Sequence, residues 1–138
     1  MSDCVFCKIA NKEIEAKIIY KNKSAIAFLD INPHAPAHTV VIPKNHFENI
    51  LDLNDDNILQ LFSALKETAA LLKKTINPDG FTIGINHGRV AGQAINHLHI
   101  HIMPRFLNDG GGSIHSVVLN KPKESIEEIY NKIKNYGN

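Results

Sequence analysis

The segment His97-Leu98-His99-Ile100-His101-Ile102-Met103 constrains this chain more than any other. Strand side chains alternate faces with a period of two. As a strand, the segment lines His97, His99 and His101 along one surface and turns Leu98, Ile100 and Ile102 into a core, which fixes its register. A lone histidine there reads as a hydrogen-bonded core residue; strict alternation reads as a site. Two chemistries fit: His-x-His binding a catalytic zinc, or one imidazole attacking while its neighbours hold a phosphate. Residues 80–103 contain no Asp or Glu to act as the base of a hydrolytic zinc site. They offer instead Asn86, His87, Gly88, Arg89, Gly92 and Gln93, a set of neutral donors, one cation and backbone N–H groups that suits a phosphate.

With 138 residues and 43% hydrophobic content, the chain is read as one domain over 1–138, its core at about 3–106 and a C-terminal loop and helix at 107–138. Fifteen basic residues against 14 acidic ones leave no basic field for a nucleic acid, so a small ligand is expected. Residues 1–4 carry no basic n-region, and no apolar run is long enough for a signal peptide or membrane helix, so a cytoplasmic protein without membrane contact is expected.

Short strands are expected near 17–20, 24–29 and 39–42, as a hairpin or meander broken by Lys21-Asn22-Lys23 and Asn32-Pro33-His34-Ala35-Pro36. From Asn54 the period changes. Ile58, Leu61, Phe62, Leu65, Ala69 and Leu72 fall at helical spacing, with Asp55 and Asp56 in the first turn and Lys73 and Lys74 in the last. Strands at 81–86 and 96–103 follow, joined by a glycine-bearing loop. Ile126, Ile129, Tyr130, Ile133 and Tyr136 predict a C-terminal amphipathic helix, and the glycine-rich stretch 108–113 predicts a mobile loop. The fold class is α+β, a mostly antiparallel sheet with helices on one face. Cys4 and Cys7 form a Cys-x-x-Cys pair at the N-terminus, where a metal clip is favoured over a thioredoxin-like redox pair, which would follow a strand.

The triad segment, together with Gly92-Gln93, Asp3-Cys4-Val5-Phe6-Cys7-Lys8-Ile9, Ala27-Phe28-Leu29-Asp30-Ile31-Asn32-Pro33 and His38-Thr39-Val40-Val41-Ile42-Pro43-Lys44, resembles the histidine-triad (HIT) family, in its Hint-like branch. The resemblance implies a five-stranded antiparallel sheet, with one long helix and a C-terminal helix, extended across a homodimer. It implies hydrolysis or transfer at the α-phosphate of a purine nucleoside 5′-phosphate conjugate through a nucleotidyl-histidine, with no organic cofactor. His99 maps to the nucleophile, oriented by the backbone carbonyl of His97; His101 would contact phosphate oxygens and His38 would extend the network. An imidazole is largely neutral near pH 7 and can attack with one nitrogen while the other donates.

By the same resemblance Asp30 would take the ribose hydroxyls, Asn86 and Gln93 would lie near the scissile bond, and Phe6, Ile9, Ile14, Phe28 and Ile31 would line the base pocket. Cys4, Cys7, His46 and His97 would hold a structural zinc, closed and tetrahedral. One departure bears on the substrate: Ala94 stands where many Hint-like phosphoramidases carry a serine that helps the leaving group. That favours a phosphate leaving group, as in diadenosine polyphosphates, over an amine. The alternatives are adenosine 5′-monophosphoramidase action, a metallohydrolase that ligates its metal with all three triad histidines, and a non-catalytic nucleotide-binding module.

Overall fold

The alternating apolar runs build one sheet. Strands β1 (Ile18–Lys21), β2 (Ala25–Leu29), β3 (Thr39–Pro43), β4 (Gly80–Gly84) and β5 (Ile100–Arg105) are hydrogen-bonded in the order β1-β2-β3-β5-β4. Every neighbouring pair is antiparallel. The computed structural model describes residues 3–137; residues 1–2 and 138, the ends of the expected domain, lie outside it.

Helix α2 (Asp55–Thr75) covers one face, packing Leu61, Ala64 and Leu72 on Ala25, Ala27, Val41, Leu98, Ile100 and Ile102. Its ends are set locally. The Asn54 side chain accepts the Asn57 N–H, Asp55 and Asp56 sit at the positive end of the helix dipole, and Lys73 and Lys74 sit at the negative end. The buried stripe is Leu61, Ala64, Thr68 and Leu72, so Phe62, one step round the helix from Leu61, stands 42% exposed instead of joining it.

Helices do not keep to one face as expected. A short helix, α1 (Val5–Ala10), capped by the Cys4 side chain, carries Phe6 and Ile9 to the opposite face against Ile26, Phe28, Val40 and Ile42. That is the face to which His101 belongs, since it pairs with Val40 in the β3–β5 register while Ile100 and Ile102 point to α2.

Strand boundaries also move. The expected 81–86 strand ends at Gly84, and the expected 96–103 strand starts only at Ile100. Continuing the register of Val41 with Ile100 puts Pro43 opposite Leu98, and a proline has no N–H for the ladder. The Leu98 N–H turns instead to the Phe47 carbonyl at 2.6 Å. The 108–113 stretch, expected to be mobile, is pinned: Arg105 makes a bidentate pair with Asp109 at 2.7 and 2.9 Å, and Asp109 accepts the Phe106 and Gly111 N–H groups. Beyond it, α3 (Ile126–Lys134) starts at a Ser125–Glu128 capping box and leaves Ile126, Tyr130 and Ile133 exposed.

Candidate active site

The triad histidines are a buried series and not a row along an open surface: His97 is inaccessible, His99 is 7% exposed and His101 is half-buried. Their hydrogen bonds determine which nitrogens carry protons. The Nδ1 of His99 lies 2.7 Å from the His97 carbonyl, which can only accept, so Nδ1 is the donor and the Nε2 lone pair is left available. The edge of the Phe6 ring packs on His99 with centroids 5.1 Å apart, and the His99 and His101 rings are 5.0 Å apart.

A second chain of bonds sets His101. The His34 backbone N–H donates to His38 Nδ1 at 3.1 Å, so the proton of a neutral His38 is on Nε2. That Nε2 lies 2.9 Å from His101 Nδ1 and donates to it, leaving His101 with its own proton on Nε2. Burial, reinforced by the neighbouring imidazoles of His99 and His38, brings His101 down to about 4. Burial also lowers His38, against the opposing pull of Asp30. Both rings are therefore neutral at pH 7, and the 3.6 Å approach of Asp30 to His38 Nε2 is not an ion pair there. Asp30 comes from the end of β2, so the carboxylate missing from residues 80–103 is supplied by folding; it also accepts the Asn32 N–H at 2.8 Å.

The remaining expected residues separate. Phe6, Ile9 and Phe28 share one buried cluster, whereas Ile14 at 38% and Ile31 at 89% exposure stay outside it. Asn86 is exposed and lines a groove with His101. Gln93 is buried and spends its amide on the backbone: Oε1 accepts the Gly88 N–H at 2.8 Å, and Nε2 donates to the Glu48 and Ile95 carbonyls. It thus closes the loop over Arg89–Ala91, which is bracketed by Gly88 and Gly92 at φ +90° and +102°. Sequence reasoning missed His34 and Pro43, because both act through backbone atoms that carry no residue-type signal.

Cys4, Cys7, His46 and His97 bring four ligand atoms within 4.8 Å of one another. Sulfur-to-nitrogen separations are 3.4 Å for Cys4–His97, 3.5 Å for Cys7–His97 and 3.3 Å for Cys7–His46. Metal bonds of about 2.3 Å to sulfur and about 2.0–2.1 Å to nitrogen give tetrahedral edges of about 3.6 Å, so this donor set fits a zinc-sized ion. The His97 tautomer fits too. Its Nε2 donates to the Pro43 carbonyl at 2.8 Å, which turns the Nδ1 lone pair toward the thiols. Burial is the main reason His97 is lowered to about 4, the neutral form a metal requires.

Comparison with known proteins shows the family. Residues 11–108 match the HIT domain. An HIT-like protein of Methanocaldococcus jannaschii is 48% identical over 78% of this chain and 82% of its own length. The adenosine 5′-monophosphoramidase hnt1 of Schizosaccharomyces pombe is 31% identical over 95% of this chain and 98% of its own. The crystal structure of an HIT family member from Bacillus subtilis superposes with a TM-score of 0.84 at 33% identity, covering 96% of this chain and 94% of that one. The chain therefore belongs to the HIT domain family.

Proposed function

We propose that this chain hydrolyses purine nucleoside 5′-phosphate conjugates at the α-phosphate through a nucleotidyl intermediate on His99. The observation that carries the reading is the 2.7 Å bond from His99 Nδ1 to the His97 carbonyl, which in the neutral ring puts the proton on Nδ1 and aims the Nε2 lone pair. Nε2 attacks phosphorus, a P–N bond forms, and the bond to the leaving group breaks. Water then adds to phosphorus, the P–N bond breaks, and the monophosphate leaves with His99 neutral again. The His101 Nε2–H is a donor for the phosphate oxygens as charge builds on them. A phosphate leaving group departs unprotonated. An amine takes one proton, which comes from solvent at the site since the neutral His38–His101 pair has none to lend, and the attacking water releases one in return.

Phe6, Ile9 and Phe28 form the apolar wall for the base, and Asp30 accepts from the ribose hydroxyls. Zinc held by Cys4, Cys7, His46 and His97 would be structural. With four protein ligands it has no open position, and it ties α1 and the His46 loop to the residue whose carbonyl orients His99. The unpaired β4 edge and the exposed apolar side of α3 support a homodimer. The relation to a monophosphoramidase over nearly the whole chain favours amine conjugates as a second reading; Ala94 favours phosphate leaving groups.

Rapid-quench mass spectrometry of the intact protein with diadenosine tetraphosphate and with adenosine 5′-phosphoramidate tests the reading. A transient adduct of one AMP is expected in the native chain and none in His99→Ala, whose turnover falls on the order of 10⁴-fold or more. Tight nucleotide binding with no adduct and no turnover would leave a binding module.

A further inference from the structure

We infer that a hollow at the β1 edge of the sheet is a second anion site, built for a small, multiply charged phosphate and independent of the chemistry at His99. The hollow, about 560 Å³, lies at the sheet edge opposite β4, and its lining includes Ala10, Ile18, Ile26, Lys12, Lys21 and Lys44. Small-ligand sites span about 300–1,000 Å³, so the volume fits one. Three separate segments bring the lysines together. Lys21 is the register partner of Ile26, so both side chains rise on the same face, the one that α1 covers. Lys44 donates its N–H to the Ser24 carbonyl at 2.8 Å, one step beyond the Ala25–Pro43 pair, which returns it to the face of Ile26 and Ile42. Lys12 enters from the turn after α1 at φ +64°, a conformation that glycine or asparagine would adopt with less strain.

The lining carries three ammonium groups and no carboxylate, in a chain whose charges nearly balance. Neighbouring lysines are neutralised. Lys17 has Glu15 at 3.7 Å and Lys23 has Asp56 at 3.7 Å, whereas none of Lys12, Lys21 and Lys44 has an ion pair among the described residues. The end of α1 does not occupy them either: the Cys7, Lys8 and Ile9 carbonyls accept the N–H groups of Asn11, Glu13 and Lys12. Three like charges over the apolar floor of Ile26 repel one another in poorly screened surroundings, and an anion with three or more charges removes that repulsion. A phosphate suits them better than a carboxylate, because its tetrahedral oxygens can meet compact ammonium groups arriving from three directions. The hollow thus takes a short phosphate chain, free or as the tail of a nucleotide; three cations are too few to hold a nucleic acid at physiological salt.

The test is calorimetric titration and thermal melting with tripolyphosphate on the AMP-saturated native chain, on the double variant Lys21→Gln/Lys44→Gln, and on Lys23→Gln as a neighbouring control. One equivalent is expected to bind the native chain and Lys23→Gln, and the double variant at least about tenfold more weakly. The anion should raise the melting temperature of the first two relative to the double variant; any zinc lost to the probe is common to all three and cancels. No binding by the native chain, or binding that the double variant keeps, overturns the site. Citrate bound as tightly as tripolyphosphate overturns the phosphate assignment. Without any anion, Lys21→Gln should melt no lower than the native chain, since it loses repulsion and no partner; a lower value overturns the argument from unpaired charge. ATP added to the same proteins separates the two sources: binding that is lost with the lysine pair marks a nucleotide tail, and tripolyphosphate binding without it marks the free anion.

Discussion

Two clusters of potential metal ligands flank the nucleophile position, and they differ in where their lone pairs point. Cys4, Cys7, His46 and His97 form one; Asp30, His38 and His101 form the other, each with ligand atoms inside 4.8 Å. In the first, the Pro43 carbonyl accepts a hydrogen bond from the His97 Nε2–H, which leaves the Nδ1 lone pair facing two sulfurs. In the second, the His34 N–H occupies His38 Nδ1, which puts a proton on Nε2 in the middle of the cluster, aimed at His101. A metal there would have to displace that proton and break the bond to His34. Two clusters that share only a pair of histidines thus present a lone pair at the centre of one and a proton at the centre of the other, and one backbone hydrogen bond to a histidine in each decides which.

The largest expected effect breaks the first cluster. Purified with zinc, the native chain should carry one equivalent, Cys7→Ser should carry none, and its melting temperature should fall by roughly 10 °C, from about 3 kcal/mol of lost metal linkage. Asp30→Asn, in the second cluster, should leave the zinc content at one. Atomic absorption and calorimetry on the three proteins decide it: zinc that persists in Cys7→Ser and disappears in Asp30→Asn would exchange the two assignments.

The elements legible in the sequence are those whose signal is local. Leu98, Ile100 and Ile102 announce their face by alternation, and α2 announces both its ends through Asn54, Asp55, Asp56, Lys73 and Lys74. Helix α1 is six residues long, too short for a period to show. The late start of β5 depends on Pro43, which is remote in sequence from Leu98, and the Asp30 carboxylate reaches His38 only through the β2–β3 pairing. The 108–113 loop looked mobile because composition shows its glycines and not the Arg105 side chain that fastens it. Likewise the residue types in both clusters were visible, whereas the donor directions that separate them come from main-chain atoms of His34 and Pro43.

A smaller effect sharpens the comparison through pH. His101 is held near 4 in the fold, below the ordinary 6.5, so the unfolded chain takes up its proton first as pH falls. The stability linked to this group is complete above about pH 6.5 and is lost as pH falls toward 4; for a half-buried ring it comes to about 1–2 kcal/mol. In the first cluster protonation competes with metal, so its acid loss should move to lower pH when free zinc is raised, while the His101 part should not move. Urea unfolding from pH 7.5 to 4 at two zinc concentrations, with His101→Asn as the reference, separates the parts. A profile that shifts as a whole with zinc would place a metal in the second cluster as well.

The smallest effect lies on the sheet face away from both clusters. Around the site every buried polar side chain has a partner, and the neutral histidines depend on it. Among the described residues, the one buried side-chain polar atom without a hydrogen-bond partner is Thr68 Oγ1, on α2 and fully buried within its apolar stripe. There the hydroxyl loses its hydration and regains nothing, so valine, of nearly the same shape, removes a cost without opening a cavity. Thr68→Val should raise stability by about 0.5–1 kcal/mol, with zinc content and the pH profile unchanged. If it destabilises instead, Thr68 has an internal water or a carbonyl as partner, and the α2 face is satisfied as strictly as the triad face. The contrast would then be one of chemistry alone, with no difference in how completely the two faces satisfy their polar atoms.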